Sequence, residues 1–200
     1  MSSRTYAGAN GEARRVKHIY VGVNGVARLV KRIYAGVNGA ARLVYQGVGT
    51  VVSIPTMTSA AAPSGMVGVT SYRDNNSTYA GWHAFDKDSS TRWESKNYNQ
   101  DNTRAVFYDF GYKIQPTSVY IKNFASNGNA YGFVIEASAD MAFTTCDVLV
   151  DCSANSAAVD QTYTITTRQE YRYYRYRCTN GASTYRAGVY EMDVTGLRYD

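Results

Sequence analysis

Trp82-His83-Ala84-Phe85-Asp86-Lys87-Asp88-Ser89-Ser90-Thr91-Arg92-Trp93 is the most informative run in this 200-residue chain. It contains the only two tryptophans, and between them a short loop carrying two aspartates, two serines and a threonine. Oxygens spaced so closely between apolar anchors can fold back and converge, which suits a hard cation such as Ca²⁺ with its roughly 6–8 oxygen ligands. The spacing is not that of an EF-hand loop, which wants a central Gly and a terminal Glu. The alternative is a polar turn whose Asp side chains hydrogen-bond their own backbone, helped by a pair between an Asp and Arg92.

Further landmarks follow in order: Tyr108-Asp109-Phe110-Gly111, Val119-Tyr120-Ile121, Phe133-Val134-Ile135-Glu136-Ala137-Ser138, Arg172-Tyr173-Tyr174-Arg175-Tyr176 and Tyr190-Glu191-Met192-Asp193-Val194-Thr195-Gly196. Together with Ala84-Phe85-Asp86-x-Asp88-x-x-Thr91-x-Trp93 they resemble the discoidin-like domains, the coagulation-factor type C and family 32 carbohydrate-binding group, over about residues 56–199. The resemblance implies a jelly-roll β-sandwich with variable loops at one end. It also implies a structural Ca²⁺ held by Asp86, Asp88, Thr91 and Glu191, with backbone carbonyls near His83 and Ala84 completing the shell. Lys87 stands where the family commonly has Gly. Trp93 falls at the family's Thr-x-Trp position and belongs in the core, whereas Trp82 suits either core or ligand.

The residues around these landmarks agree with an all-β reading. The chain has 19 Tyr, 17 Gly and few Leu, which favours strands and turns over helices. Short apolar runs alternate with polar turns from Val67 onward, as in a sandwich of about eight strands. The candidates are Val67–Ser71, Ala105–Phe110, Ser118–Lys122, Gly132–Ser138, Asp147–Asp151, Thr162–Thr166, Tyr171–Cys178 and Val189–Gly196. Asp140-Met141-Ala142-Phe143 is the one plausible helical turn.

The front of the chain is a fourteen-residue repeat: Tyr6-Ala-Gly-Ala-Asn10-Gly11, Tyr20-Val-Gly-Val-Asn24-Gly25 and Tyr34-Ala-Gly-Val-Asn38-Gly39. Asn-Gly between apolar residues is the strongest short hairpin signal, because a type I′ turn needs positive φ at both central positions. The repeat therefore predicts an antiparallel β-meander. So small a meander buries little surface, and isolated hairpins are marginal in water, so it is read as an attachment or oligomerisation segment, with a trimer favoured among homo-oligomers. The tandem wording also resembles repeats of structural proteins from phages and prophages of Gram-positive bacteria. The chain is thus read as residues 1–50, the repeat; 51–66, a linker leading into the domain; and 67–200, the discoidin-like (galactose-binding-like) sandwich.

The net charge of +5 is unevenly divided: residues 1–50 carry eight Lys/Arg against one acid, and residues 51–200 thirteen against fifteen. The basic residues recur at strand positions that suit edge protection, or contact with an acidic protein, rather than nucleic-acid binding. There is no 18-residue apolar run to insert in a membrane, and the first residues lack the apolar core of a signal peptide, which points to assembly in a cytoplasm. Cys146, Cys152 and Cys178 have no zinc-like spacing and are read as reduced thiols.

Candidate ligand residues lie on the loops at one end of the sandwich. Sugar recognition wants an aromatic face and Arg, Asn, His or Asp for the hydroxyls, and Tyr72, Arg73, Tyr98 and Arg186 meet that need best. Neither His18 nor His83 has a catalytic context, and Asp86 with Asp88 sits in a cation-type loop rather than as a glycosidase pair, so the chain is read as a binding protein and not an enzyme. The combined expectation is a virion protein assembled in the bacterial host's cytoplasm. Its partners are other virion proteins, copies of itself and a host cell-surface carbohydrate. The rival readings are a purely structural or decorating subunit and a carbohydrate-binding accessory of a cell-wall enzyme.

Overall fold

The computed structural model describes residues 6–9, 12–15, 19–23, 26–30, 32–37, 40–96, 104–126, 129–130, 132–154, 159–179 and 186–199. The chain divides into two compact units, residues 1–50 with 198–200, and residues 51–197.

In the first unit, β1 (Tyr6–Ala9) pairs with β2 (Glu12–Arg15), β3 (Tyr20–Val23) with β4 (Val26–Leu29), and β5 (Arg32–Val37) with β6 (Ala40–Gln46). The ladders end on Ala9↔Glu12, Val23↔Val26 and Val37↔Ala40, the pairs that flank each Asn-Gly. Residues 10–11, 24–25 and 38–39 themselves lie outside the described residues. Each repeat closes as its own two-stranded sheet, so among the described residues the expected meander is three separate hairpins.

The second unit contains β7 (Thr50–Ser53), β8 (Met66–Val69), β9 (Trp93–Glu94), β10 (Ala105–Asn123), β11 (Ala125–Ser126), β12 (Asn129–Ala130), β13 (Phe133–Ser138), β14 (Cys146–Cys152), β15 (Asp160–Thr164), β16 (Tyr171–Cys178) and β17 (Gly188–Arg198). The strand pairs whose register is described are antiparallel. β10 organises the unit. Its first half lies between β8 and β16, and β13 and β14 extend that sheet beyond β16. Its second half lies between β15 and β17, with β7 and β9 also on β17. The two strands expected at Ala105–Phe110 and Ser118–Lys122 are thus one strand that passes from one sheet to the other.

The corner has a local cause. Gly111 has φ +77°, a left-handed conformation that costs a glycine little, and the ladder with β16 slips between Asp109 and Ile114. Asp109 fixes the bend: its Oδ1 accepts from the Gly111 N–H at 2.7 Å, and Arg172 binds both its oxygens at 2.7 and 2.8 Å. Alternation along the strands then sends Val106, Tyr108, Phe110, Val119, Ile121, Tyr174, Tyr176, Met192 and Val194 into one core. Trp93 is fully buried there, as its Thr-x-Trp position implied, and donates its indole N–H to the Ser71 carbonyl at 2.9 Å. Residues 51–66 do more than connect, since Ile54 and Met57 are each 1% exposed in the same core.

Asp140–Phe143 forms a turn closed by the Phe143 N–H on the Asp140 carbonyl, not the helical turn the sequence suggested. Phe143 has φ +54°, costly for a bulky residue, on the order of 1–2 kcal/mol. Its ring offsets this by packing against Phe107 and Tyr173 at 6.0 and 6.4 Å, with Arg175 4.0 Å above it. Among the described residues the short helical segments are three 3₁₀ turns, at Arg73–Asn75, Ser77–Tyr79 and Gly81–Ala84, just before the Asp86 loop.

On the outer side of the β13–β16 sheet, buried Glu136 receives both Arg175 and Arg177. Burial alone would raise its pKa, but the Arg177 and Arg175 hydrogen bonds outweigh that and hold it below the ordinary 4.5. A depressed carboxylate contributes stability above its unfolded value and loses it as the pH falls through the folded one. Glu136→Gln should therefore cost on the order of 3 kcal/mol at neutral pH and flatten the loss of stability as the pH falls below the ordinary 4.5. Melting temperatures across that range test this; parallel acid limbs in variant and parent would refute it.

Candidate functional site

The loop between the two tryptophans is knotted around one carboxylate. Asp86 Oδ2 lies 2.7 Å from His83 Nδ1 and accepts the Thr91 hydroxyl at 2.7 Å, while its Oδ1 accepts the Asp88 backbone N–H at 3.0 Å. The Thr91 hydroxyl is also 3.0 Å from the Asp88 carbonyl. Between the two aspartates, Lys87 has φ +61°. This is the left-handed conformation that glycine adopts most readily, which fits the resemblance's expectation of Gly at the position where this chain has Lys. The Lys87 ammonium is held by Asp193 of β17 at 2.5 Å.

Glu191, two residues earlier on β17, meets Asp86. Burial, the hydrogen bond with Asp86 and the charge of Asp86 push the Glu191 pKa up to about 8. Its Oε1 is buried without a hydrogen-bond partner. Two carboxyl groups facing each other in a half-dry loop call for a proton or a cation between them. Asp86, Thr91 and Glu191 could thus supply side-chain oxygens to a divalent cation, and the Asp88 carbonyl beside Thr91 a fourth. The Asp88 carboxylate is turned elsewhere, accepting the Ser90 N–H and hydroxyl at 2.9 and 2.7 Å, and those bonds lower its pKa. Among the described residues no three His, Cys, Asp or Glu side chains form a metal cluster, so most ligands of a cation here would be neutral oxygens, as Ca²⁺ accepts.

Next to this loop is a ladder of alternating charges. Arg186 donates to both oxygens of Asp74 at 3.2 and 3.3 Å. Arg73 contacts Asp74 at 3.4 Å and Glu94 at 2.9 Å, and Glu94 also accepts from Arg92 at 3.3 Å. The Glu94 hydrogen bond raises the Arg73 pKa, and the Arg186 hydrogen bond lowers that of Asp74. Asp74 and Asn75 both have positive φ, near 50°, which Asp and Asn tolerate better than most residues. Tyr79 lies beside the ladder, with Arg73 4.7 Å and Arg92 5.3 Å from its ring centroid.

A groove of about 380 Å³ opens beside the ladder, lined by residues 77–79, Trp82, His83 and residues 90–92. Tyr79 and Trp82 supply aromatic surface to its walls. His83 stacks on Trp82 at 3.7 Å and has both ring nitrogens engaged, on Asp86 and on the Ser77 carbonyl at 3.1 Å.

Of the residues expected to bind ligand, Arg73 and Arg186 come together through Asp74. Tyr72 is half-buried and packs against the core. Tyr98 lies outside the described residues, as do the neighbouring candidates Asn97, Asn99, Thr184 and Tyr185. Sequence reasoning missed the roles of Arg92 and Glu94. The signal was present: period-two alternation through inward-facing Trp93 puts Arg92 and Glu94 together on the opposite face.

No protein-family model matches the chain, and no curated protein matches it. Among solved structures it is similar to the chitosan-binding module 1 of a chitosanase/glucanase from Paenibacillus sp. IK-5, at 20% identity and TM-score 0.54, covering 65% of this chain and 93% of that one. It is also similar to CpGH89CBM32-6 from Clostridium perfringens, at 19% identity and TM-score 0.52, covering 68% and 95%. A third is the family 32 carbohydrate-binding module of C. perfringens NanJ, in complex with galactose, at 15% identity and TM-score 0.55, covering 73% and 99%. At these identities the likeness establishes the fold: this chain contains the discoidin-like β-sandwich of carbohydrate-binding modules.

Proposed function

We propose that the sandwich binds a cell-surface glycan at the loop end bearing Tyr72, Arg73, Tyr98 and Arg186, and that the N-terminal repeat carries it into a larger assembly. The observation that carries this reading is the Arg186–Asp74–Arg73–Glu94–Arg92 ladder beside Tyr79 and an aromatic, hydroxyl-lined groove, within the fold of carbohydrate-binding modules. Paired guanidinium and carboxylate groups held rigidly at a surface donate to and accept from vicinal hydroxyls, and an aromatic ring covers the apolar face of a sugar. Ca²⁺ is proposed as a structural tie through Asp86, Thr91, Glu191 and the backbone of Asp88.

The assembly is proposed to be a phage or prophage virion formed in the bacterial host, with the repeats mediating homo-oligomerisation, as a trimer, and contact with other virion proteins. The resemblance of the repeat and its three self-similar hairpins support this. A second reading, an accessory of a cell-wall enzyme, is favoured by the similar module that belongs to a chitosanase/glucanase.

Binding of the full chain to host cell walls and to a glycan array tests the proposal. Arg186→Ala and Tyr98→Ala should each weaken binding about tenfold or more while leaving the fold intact; no saturable binding to any wall or glycan would count against it. Recovery of the chain with intact particles, rather than with a hydrolase, separates the two readings.

The cation has its own test. A raised carboxyl pKa means that stability is fully present below the unfolded value and declines as the pH rises towards about 8. In EDTA the melting temperature should fall from about pH 4.5 to about pH 8, and Ca²⁺ should restore most at the alkaline end. Glu191→Gln should remove both effects. A melting temperature indifferent to Ca²⁺ at pH 8 would rule the site out.

A further inference from the structure

Lys87 is where this loop departs from the resemblance, and it is bonded twice to β17. Its half-buried ammonium lies 2.5 Å from Asp193 Oδ2, and its backbone N–H donates to Glu191. Glu191 and Asp193 are two residues apart, so alternation puts both on one face of the strand. The second Asp193 oxygen accepts the Ile54 N–H at 3.2 Å, so the chain itself satisfies that carboxylate. Glu191 is in a different position. It is 5% exposed, and its Oε1 is buried without a hydrogen-bond partner. The charge of Lys87 draws Glu191 towards its ionised form without overcoming burial and Asp86. The ammonium thus neutralises Asp193 and leaves the Glu191 Oε1 unpaired. Holding φ +61° costs a lysine more than a glycine, and the two bonds to β17 offset that cost.

We infer that Lys87 is a built-in counter-cation of the Asp86–Glu191 site: by neutralising Asp193 it weakens the hold of Asp86, Thr91 and Glu191 on a divalent cation. A divalent ion is repelled by an ammonium and attracted by an unpaired carboxylate. One unit of charge at short range in a half-buried loop changes its affinity by about tenfold. The other charged groups around the pair are His83 on Asp86, Asp88 on Ser90, and Lys122 opposite Glu191 on β10. They are common to the parent and to every variant at residue 87, so they cancel in the comparison. This inference rests on the cation reading and names the residue that sets the affinity of that site.

Calcium titration of the full chain by calorimetry at low ionic strength tests this, with melting temperatures followed in EDTA and in Ca²⁺. Lys87→Met should bind Ca²⁺ about tenfold more tightly than the parent, melt lower in EDTA and gain more from Ca²⁺. Lys87→Arg keeps the charge and should bind as the parent does. Adding Asp193→Asn to Lys87→Met restores the net charge and should return the affinity towards the parent's. An affinity unchanged or weakened in a folded Lys87→Met variant would overturn the inference while leaving the cation reading intact, as would a Lys87→Arg variant that tightens equally. Binding by Lys87→Met but not by the parent would support the inference and overturn the cation reading for the parent. No binding by parent or variants would overturn both. If Lys87→Met fails to fold without Ca²⁺, Lys87→Gly, which suits the positive φ and also removes the charge, decides in its place.

Discussion

The loop end depends on the carboxylate of Asp86. One side chain gathers the His83 ring, the Thr91 hydroxyl and the Asp88 N–H, and meets Glu191 from β17. It thereby ties the 3₁₀ turns to the loop before Trp93, and ties both to the closing strand. Lys87, in a left-handed conformation and clamped to Asp193, adds a second link to β17. The arrangement concentrates negative charge where little solvent can screen it, and so ties the loop's stability to whatever compensates that charge. Lys87, paired with Asp193, also favours the ionised form of Glu191, but burial and Asp86 outweigh it.

That knot matters because of what it positions. Trp93 follows directly, fully buried, and fixes the strand whose opposite face carries Arg92 and Glu94. The turn at Arg73–Asn75 brings Arg73 and Asp74 to them from the other side. The Asp74 end of the ladder is exposed and adds little to stability, since exposed ion pairs are worth roughly 0–1 kcal/mol, whereas Glu94 is buried and would be left uncompensated without Arg73 and Arg92. The ladder also holds guanidinium and carboxylate groups in register. In the other sheet, the Glu136–Arg175–Arg177 cluster and the Asp109–Arg172 clamp use the same chemistry, centred like Glu94 on buried carboxylates.

Much of this fold was legible because its marks are local. Asp86, Thr91 and Trp93 lie within eight residues, and the strands at Phe133–Ser138 and Tyr171–Cys178 show their aromatic and aliphatic runs directly. What was not legible was set by contacts distant in sequence or by unusual backbone. Gly111-Tyr112-Lys113 reads as a turn between two strands; only the Asp109–Arg172 clamp, joining residues 63 apart, makes it a bend within one. The three 3₁₀ turns are too short to leave a periodicity. Phe143 at positive φ defies its own propensity because rings from two other strands receive it. At the site, Arg73 and Arg186 stood out as loop arginines, but their common partner, Asp74, is 112 residues from Arg186.

The two units differ in a way that bears on how a shallow site functions. A shallow groove of a few rings and hydroxyls, if it binds the proposed glycan, would offer modest affinity for a single sugar unit, because association must first offset lost freedom and desolvation. The first unit presents three hairpins, each paired only with itself among the described residues, and a two-stranded hairpin is marginal in water. Val21 and Tyr34, on two of those hairpins, are 51% and 55% exposed. Self-association would cover such surface and, in the same step, place several copies of the sandwich side by side. Avidity gained that way can exceed single-site affinity by about 10²–10⁴ where the geometry allows simultaneous engagement. On the proposed reading, the weakness of the hairpins alone and the shallowness of the groove alone would both be answered by the assembly of several chains.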